Sequence, residues 1–179
     1  MRHKQHGAIL AIALIMLLVM TVLAAAALYH VKVQARITGN SSQQMTADQI
    51  ANSVLTATLI QLSTLPSRPA TSTLSACENS PPCAIWPLNG LPANLQSQGL
   101  AWWTVYGNQP SFASGAETPA VLSNPNNRFV VEALNFIPDT LDPNDAAAGH
   151  GIQYYLLIAE GVASDGSRSV LQSVTAQRF

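Results

Sequence analysis

The sequence predicts an α+β chain in which a long N-terminal helix lies on a four-stranded antiparallel sheet. Three observations predict it. Residues 8–28 form an apolar run with no charge, glycine or proline. Residues 43–65 then place Ala47, Ile50, Ala51, Val54, Leu55, Leu59 and Leu62 at i, i+3, i+4, i+7 spacing. From residue 99 on, aromatic and β-branched runs alternate with turn residues.

The apolar run comes first. At about 1.5 Å per residue its 21 residues make a helix of about 31 Å, close to the thickness of a bilayer's hydrocarbon core. Only a helix satisfies its own backbone groups in that medium. Thr21, the one polar side chain, is tolerable because its hydroxyl can bond a carbonyl one turn earlier. Two other readings stay open. A buried helix of a soluble protein rarely stays uncharged over a full span. A secretory signal peptide has a shorter apolar region and a small-residue cleavage site, which Ala24–Ala27 could imitate.

Composition and charge narrow the function. Only 9% of residues are charged, against roughly 25% in ordinary soluble domains. Residues 40–179 carry four positive and nine negative side chains, a net of −5. Phosphate binding needs a basic face, so no nucleic-acid partner is expected. Arg2 and Lys4 on one side of the run nearly balance Lys32 and Arg36 on the other, so charge alone orients the span weakly. Cys77 and Cys83, with five residues between them, decide the orientation. Such a pair in a loop reads as a disulfide in an oxidising compartment, with two free thiols as the other reading. The expected topology is therefore N-terminus inside and head periplasmic.

Tyr29 suits a membrane interface, Lys32 and Arg36 can snorkel toward headgroups, and His30 reads as a solvated interface residue. Gly39-Asn40-Ser41-Ser42 weakens the helix. Residues 30–65 are the amphipathic continuation, and Pro66 stops it. Residues 66–98 hold six of the eleven prolines and the cysteine pair, and read as a connecting loop with Trp86 folded back on the core. Residues 99–179 read as a β-sheet head. Its strands are Leu100–Tyr106, Arg128–Ile137, Gln153–Val162 and Ser169–Ala176, with Asp165-Gly166 between the last two as a hairpin signal.

Residues 1–7, Met-Arg-His-Lys-Gln-His-Gly, form a basic leader, with Gly7 directly before the apolar run. This junction resembles the type IV pilin class. The resemblance implies cleavage between Gly7 and Ala8 by a prepilin peptidase, N-methylation of Ala8, and a mature chain of 172 residues. It also implies residues 8–29 as a transmembrane and filament-core helix, and the type IV pilin-like fold. Major pilins place a glutamate at the fifth mature position, where this chain has Ile12. That departure points to a minor or tip subunit.

Two further blocks, Ala35-Arg36-Ile37-Thr38-Gly39-Asn40 and the final Tyr155–Ser173 hairpin, resemble PilX-type minor pilins. The usual Ala-Glu-Ala of the second helical half is Ala51-Asn52-Ser53 here, and residues 66–127 carry no resemblance. What the resemblance implies is a non-enzymatic subunit of a tip or initiation complex. Its partners would be other minor pilins, the major pilin, the inner membrane and a tip adhesin. Its place would be the inner membrane before assembly and the cell-surface pilus after it. Two alternatives stand beside it: a type II secretion minor pseudopilin, and a single-pass anchored periplasmic binding or adhesion module that never polymerises.

No catalytic, cofactor-binding or metal residue is expected. Of His3, His6, His30 and His150, only the last lies in the head, and glycines flank it. No nucleophile elbow, phosphate loop or His-Glu-x-x-His helix occurs. Asp139, Asp142 and Asp145 lie three apart. They read as a solvated acidic turn, with calcium as the alternative, because the spacing is not that of the twelve-residue calcium loop.

Overall fold

A computed structural model of the chain describes residues 6–110, 124–141 and 149–179, with side chains from Leu10 onward. The elements in order are α1 (His6–Ser63), α2 (Leu74–Asn79), a 3-10 turn (Leu95–Ser97), α3 (Leu100–Tyr106), β1 (Arg128–Pro138), β2 (Gly151–Val162) and β3 (Arg168–Arg178). The chain divides into two units, residues 1–42 and 43–179.

In the first unit α1 is helical throughout its described length. Gly39-Asn40-Ser41-Ser42 does not break the helix, yet the division between units falls at its end. Thr21 Oγ1 donates to Leu18 O at 2.8 Å, the back-bond its place in an apolar helix requires.

The second unit begins with the amphipathic half of α1. Ala47, Ala51, Val54, Leu55 and Leu62 are buried, and Asp48, Asn52 and Thr56 are not. That face packs on Phe129, Val131 and Ala133 of β1 and Tyr155, Leu157 and Ala159 of β2. The odd-numbered strand residues therefore face the helix, as period-two alternation demands. The closest seat is at Gly161. A Cβ there would collide with the backbone of Ala47 and Ala51. Three small residues thus let the helix backbone approach the sheet.

Part of the opposite face, at Val130, Glu132, Ile158 and Glu160, is buried as well, under a layer of loops and short helices. Val130 and Ile158 pack there against Trp86, Leu95, Trp103 and the Cys77–Cys83 disulfide. Burial on both faces explains why β1 and β2 read as near-continuous apolar runs.

Among the described residues the sheet has three strands in the order β1-β2-β3, all antiparallel, where four were expected. The missing strand is Leu100–Tyr106, which is helical. Gly99 and Gly107 bracket it, and a helical turn puts Trp102 and Tyr106 on one side with their rings 5.2 Å apart. Trp103 is fully buried. Burying these aromatics on the sheet outweighs the β-propensity of the segment. The edge such a strand would have taken is occupied. Trp86 exchanges backbone bonds with Val131 and Ala133 (2.8 and 2.9 Å), and Asn108 does so with Phe129 (2.8 and 2.9 Å). Likewise the 66–98 stretch, expected to lack regular elements, contains α2 and the 3-10 turn. Thr73 Oγ1 caps α2 by accepting from Ala76 N–H at 3.3 Å.

β1 bulges between Ala133 and Phe136. Buried Gln153 fills the bulge, its amide donating to Leu134 O (3.1 Å), Asn135 O (3.3 Å) and Tyr154 O (2.9 Å). The β2–β3 connection, residues 163–167, is closed by Ala163 N–H to Ser167 O (2.8 Å). Gly166 takes the left-handed conformation there, φ +89°. Bonds from Ser167 hold the Asp165 carboxyl below the usual range.

Gly161→Val is expected to lower stability by about 2 kcal/mol or more, the upper part of the range for overpacking, because backbone must move. Urea unfolding of the full chain in detergent measures it.

Candidate functional site

Among the described residues three features offer function: the apolar rod of the first unit, a groove in the head, and a buried ion pair beside that groove.

Gly7 and Ala8 lie in the first turn of α1, and their side chains fall outside the described residues, as does the rest of the leader through residue 5. From Leu10 to Leu28 the side chains are exposed on every side, Leu10 and Leu28 each by 71%. Ile12, the fifth residue after Gly7, is exposed with them. So large a continuous apolar surface is not stable in water. The helix is long and apolar enough to cross a membrane, which makes it a candidate anchor. Tyr29 and His30 follow with rings 6.4 Å apart, and then Lys32 and Arg36, all exposed.

In the head, Cys77 and Cys83 are disulfide-bonded and buried, and Trp86, three residues beyond the bond, pairs with β1. Downstream, residues 89–97 arch over the sheet's outer face and enclose a groove of about 770 Å³. Its floor is Leu156, Ile158 and Val170, and Asn89, Asn94 and Gln172 supply amides. Glu132 lines it while only 6% exposed. Burial pushes its carboxyl above the usual range, and backbone N–H groups of Asn89 and Gly90 (Gly90 at 3.2 Å) pull the other way. The carboxylate thereby pins the turn that forms the groove's lip. A smaller, more apolar cleft of about 220 Å³ lies between the end of α1 and Ile85, Phe129 and Val131.

Glu160 is fully buried on β2. Its Oε1 is ion-paired with Arg168 of β3, whose Nη2 also donates to Gln98 O at 3.0 Å. This network ties the 3-10 turn to the hairpin. Burial raises the Glu160 carboxyl above its ordinary value, and Arg168 and Arg128 oppose the rise. Its Oε2 is buried without a hydrogen bond. Tyr155, buried on the helix side, is pushed up to about 12 by burial against the pull of Arg68. Arg68 itself lies over the Phe136 ring at 4.1 Å.

Asp139 pairs with Arg178 at 2.9 Å, while Asp142 and Asp145 lie outside the described residues, so the calcium reading concerns positions the structure does not describe. No group of three or more His, Cys, Asp or Glu that could hold a metal occurs among the described residues. His150 follows that segment, and its carbonyl accepts from Asp139 N–H at 3.2 Å. Sequence reasoning missed Glu132 and Glu160 as buried acids. The signal was present: each is the lone acid of a mainly apolar strand.

Comparison with protein-family models, with characterised proteins and with solved structures finds no match to this chain.

Replacing both cysteines, Cys77→Ala with Cys83→Ala, is expected to cost about 2 kcal/mol, the loop-closure value for a ring this short. Urea midpoints under oxidising and reducing conditions measure it, and reduction should affect only the native chain. The raised Glu160 carboxyl sets a pH dependence as well. Its stabilising form is the protonated one, fully present below the unfolded value of 4.5 and lost as pH rises through the higher folded value. Glu160→Gln is therefore expected to lose less stability than the native chain as pH is raised from 4.5 toward neutrality, read from paired thermal melts.

Proposed function

We propose that the chain is a PilX-type minor pilin, cut between Gly7 and Ala8, methylated on Ala8, and built into a type IV pilus as part of a tip or initiation complex. The observation that carries the reading is the junction itself. A basic leader ends in Gly7, and an uncharged run starts at Ala8 and continues through Leu28 with every described side chain uncovered. Such a rod can move from lipid into a core of like helices, exchanging lipid contacts for side-chain packing. A filament core is the second place, after a bilayer, where its surface is satisfied.

Other features support the reading. The rod continues into an amphipathic half seated on an antiparallel sheet, and a disulfide braces the head in the manner of exported proteins. Ile12 leaves the fifth mature position without a carboxylate to pair with a neighbour's terminal amine, which suits a subunit present in few copies. The head would stand in the periplasm before assembly and on the cell surface after it. Its partners would be other minor pilins, the major pilin and a tip adhesin, with the type II secretion pseudopilin as a close relative in mechanism. The groove under residues 89–97 favours a second reading, an anchored binding or adhesion module that is never processed.

Intact mass of the membrane-extracted chain separates the two. The first expects a polypeptide shortened by residues 1–7 and carrying one added methyl group. Gly7→Asp should leave it at full length and abolish incorporation into sheared filaments. An unprocessed native chain would rule the proposal out and leave the anchored module.

A further inference from the structure

Residues 89–98 cross the outer face of the sheet, over the groove of about 770 Å³. Their attachment to the rest of the head is sparse. Two apolar side chains, Leu91 and Leu95, pack on the cluster that holds Val130 and Ile158. Among the described residues, every hydrogen bond from this segment to the sheet runs to one of two points. At the near end Glu132 of β1 accepts from the N–H groups of Asn89 and Gly90, the latter at 3.2 Å. At the far end Arg168 of β3, ion-paired with Glu160 of β2, donates to Gln98 O at 3.0 Å. The remaining backbone bonds are local: Gly90 N–H to Pro87 O (2.9 Å), Ser97 N–H to Asn94 O (3.1 Å) and Gln98 N–H to Leu95 O (3.1 Å).

The two attachment points share a chemistry. Each depends on a buried carboxyl, Glu132 at 6% and Glu160 at 0% exposure. Each also stands at the groove. Glu132 lines it, and Val170, another lining residue, is the cross-strand partner of Glu160. Directly opposed residues share one face of a sheet. Glycines mark the two ends of the segment, Gly90 and Gly99, and nothing crowds Gly99. Positions at the ends of a moving segment absorb its backbone rotation.

We propose that residues 89–98 are a strap that lifts from the sheet by rotation at its two ends, with the Glu132 and Glu160 carboxyls as clasps that release it on ionising.

The direction follows from burial. Keeping an ionised carboxyl from water costs more than keeping a neutral one from it. Burial accordingly holds both acids above the ordinary carboxyl range while the strap is down. Lifting the strap admits water, and both return toward the ordinary 4.5. The closed form therefore binds protons more tightly than the open one. Its advantage is fully present below 4.5 and is lost as pH rises through the higher closed-state values. Neighbouring charges do not reverse this. Arg168 on β3 and Arg128 on β1 face Glu160 and lower its value, and burial outweighs them. Glu132 is the one charged side chain among those lining the groove, and the backbone N–H groups of Asn89 and Gly90 oppose its rise without cancelling it. The groove is thus closed in acid and opens toward neutrality. The inference concerns the head alone and holds whether or not Gly7 is a cleavage site.

Hydroxyl-radical footprinting of the full chain in detergent, at pH 4.5 and 7.5, tests it. Leu95, 6% exposed, reports the strap, and Leu157, fully buried on the helix side, reports the fold as a whole. Exposed Leu141 corrects for radical dose. Leu95 oxidation should rise by about fivefold between the two pH values, a shift in opening of the size that one net hydrogen bond supplies. Leu157 should stay flat. Glu132→Gln combined with Glu160→Gln keeps both side-chain shapes and removes both titrations. That variant should hold Leu95 at its acid level throughout. If it melts early, either single variant should show a smaller rise than the native chain. A Leu95 signal that does not change with pH, a rise shared equally by Leu157, or a rise undiminished in a folded Gln variant overturns the proposal.

Discussion

The head depends on one close contact, the seating of α1 on β2 where Ala47 and Ala51 meet Gly161. Helices ordinarily pack on sheets through large side chains. Here the small residues bring two backbones together, and larger neighbours close around the contact: Ile50, Val54 and Leu55 from the helix, Leu157 from the strand. Burial of each large aliphatic side chain is worth about 1.5–3 kcal/mol, and that gain is realised only if the backbones can approach. The register of β2 against both neighbours follows, because a slip by one residue would turn Leu157 and Ala159 away from the helix.

With one face of the sheet committed to α1, the other needs its own cover. The chain supplies it from segments with little regular structure: the disulfide loop, the 3-10 turn and α3. These make poor core elements alone, so the layer is held by specific bonds. Trp86 joins β1 by backbone pairing, Asn108 Nδ2 donates to Cys83 O at 2.7 Å, and Arg168 bridges Glu160 to Gln98. The buried acids have a structural explanation in this light. Glu132 and Glu160 are the sheet's attachment points for a layer that apolar contact alone would not position.

Much of this was legible from the residues. The apolar run, its amphipathic continuation, three of the strands and the Asp165-Gly166 turn all follow from periodicity and turn chemistry. The cysteine pair was readable as a disulfide. Leu100–Tyr106 was not, because aromatic and β-branched residues favour a strand locally and only tertiary burial of Trp103 makes a helix better. Trp86 as a substitute edge partner was equally hidden, since a single bridging residue leaves no period to detect. Of the candidate features, the apolar rod was visible because its residues are contiguous, and the Gly7–Ala8 junction is a reading of the sequence alone. The groove was invisible, since its lip and floor come from stretches tens of residues apart and meet only after folding.

The unbroken passage of α1 through Gly39-Asn40-Ser41-Ser42 has a mechanical consequence. Each of those residues holds helical form less firmly than Ala, by up to about 1 kcal/mol for Gly. A pull along the helix is therefore felt first at this turn, and four residues drawn from helix to extended chain lengthen it by about 7 Å. The same four residues that keep the rod continuous at rest thus give it its most compliant link, placed between the greasy segment and the folded head.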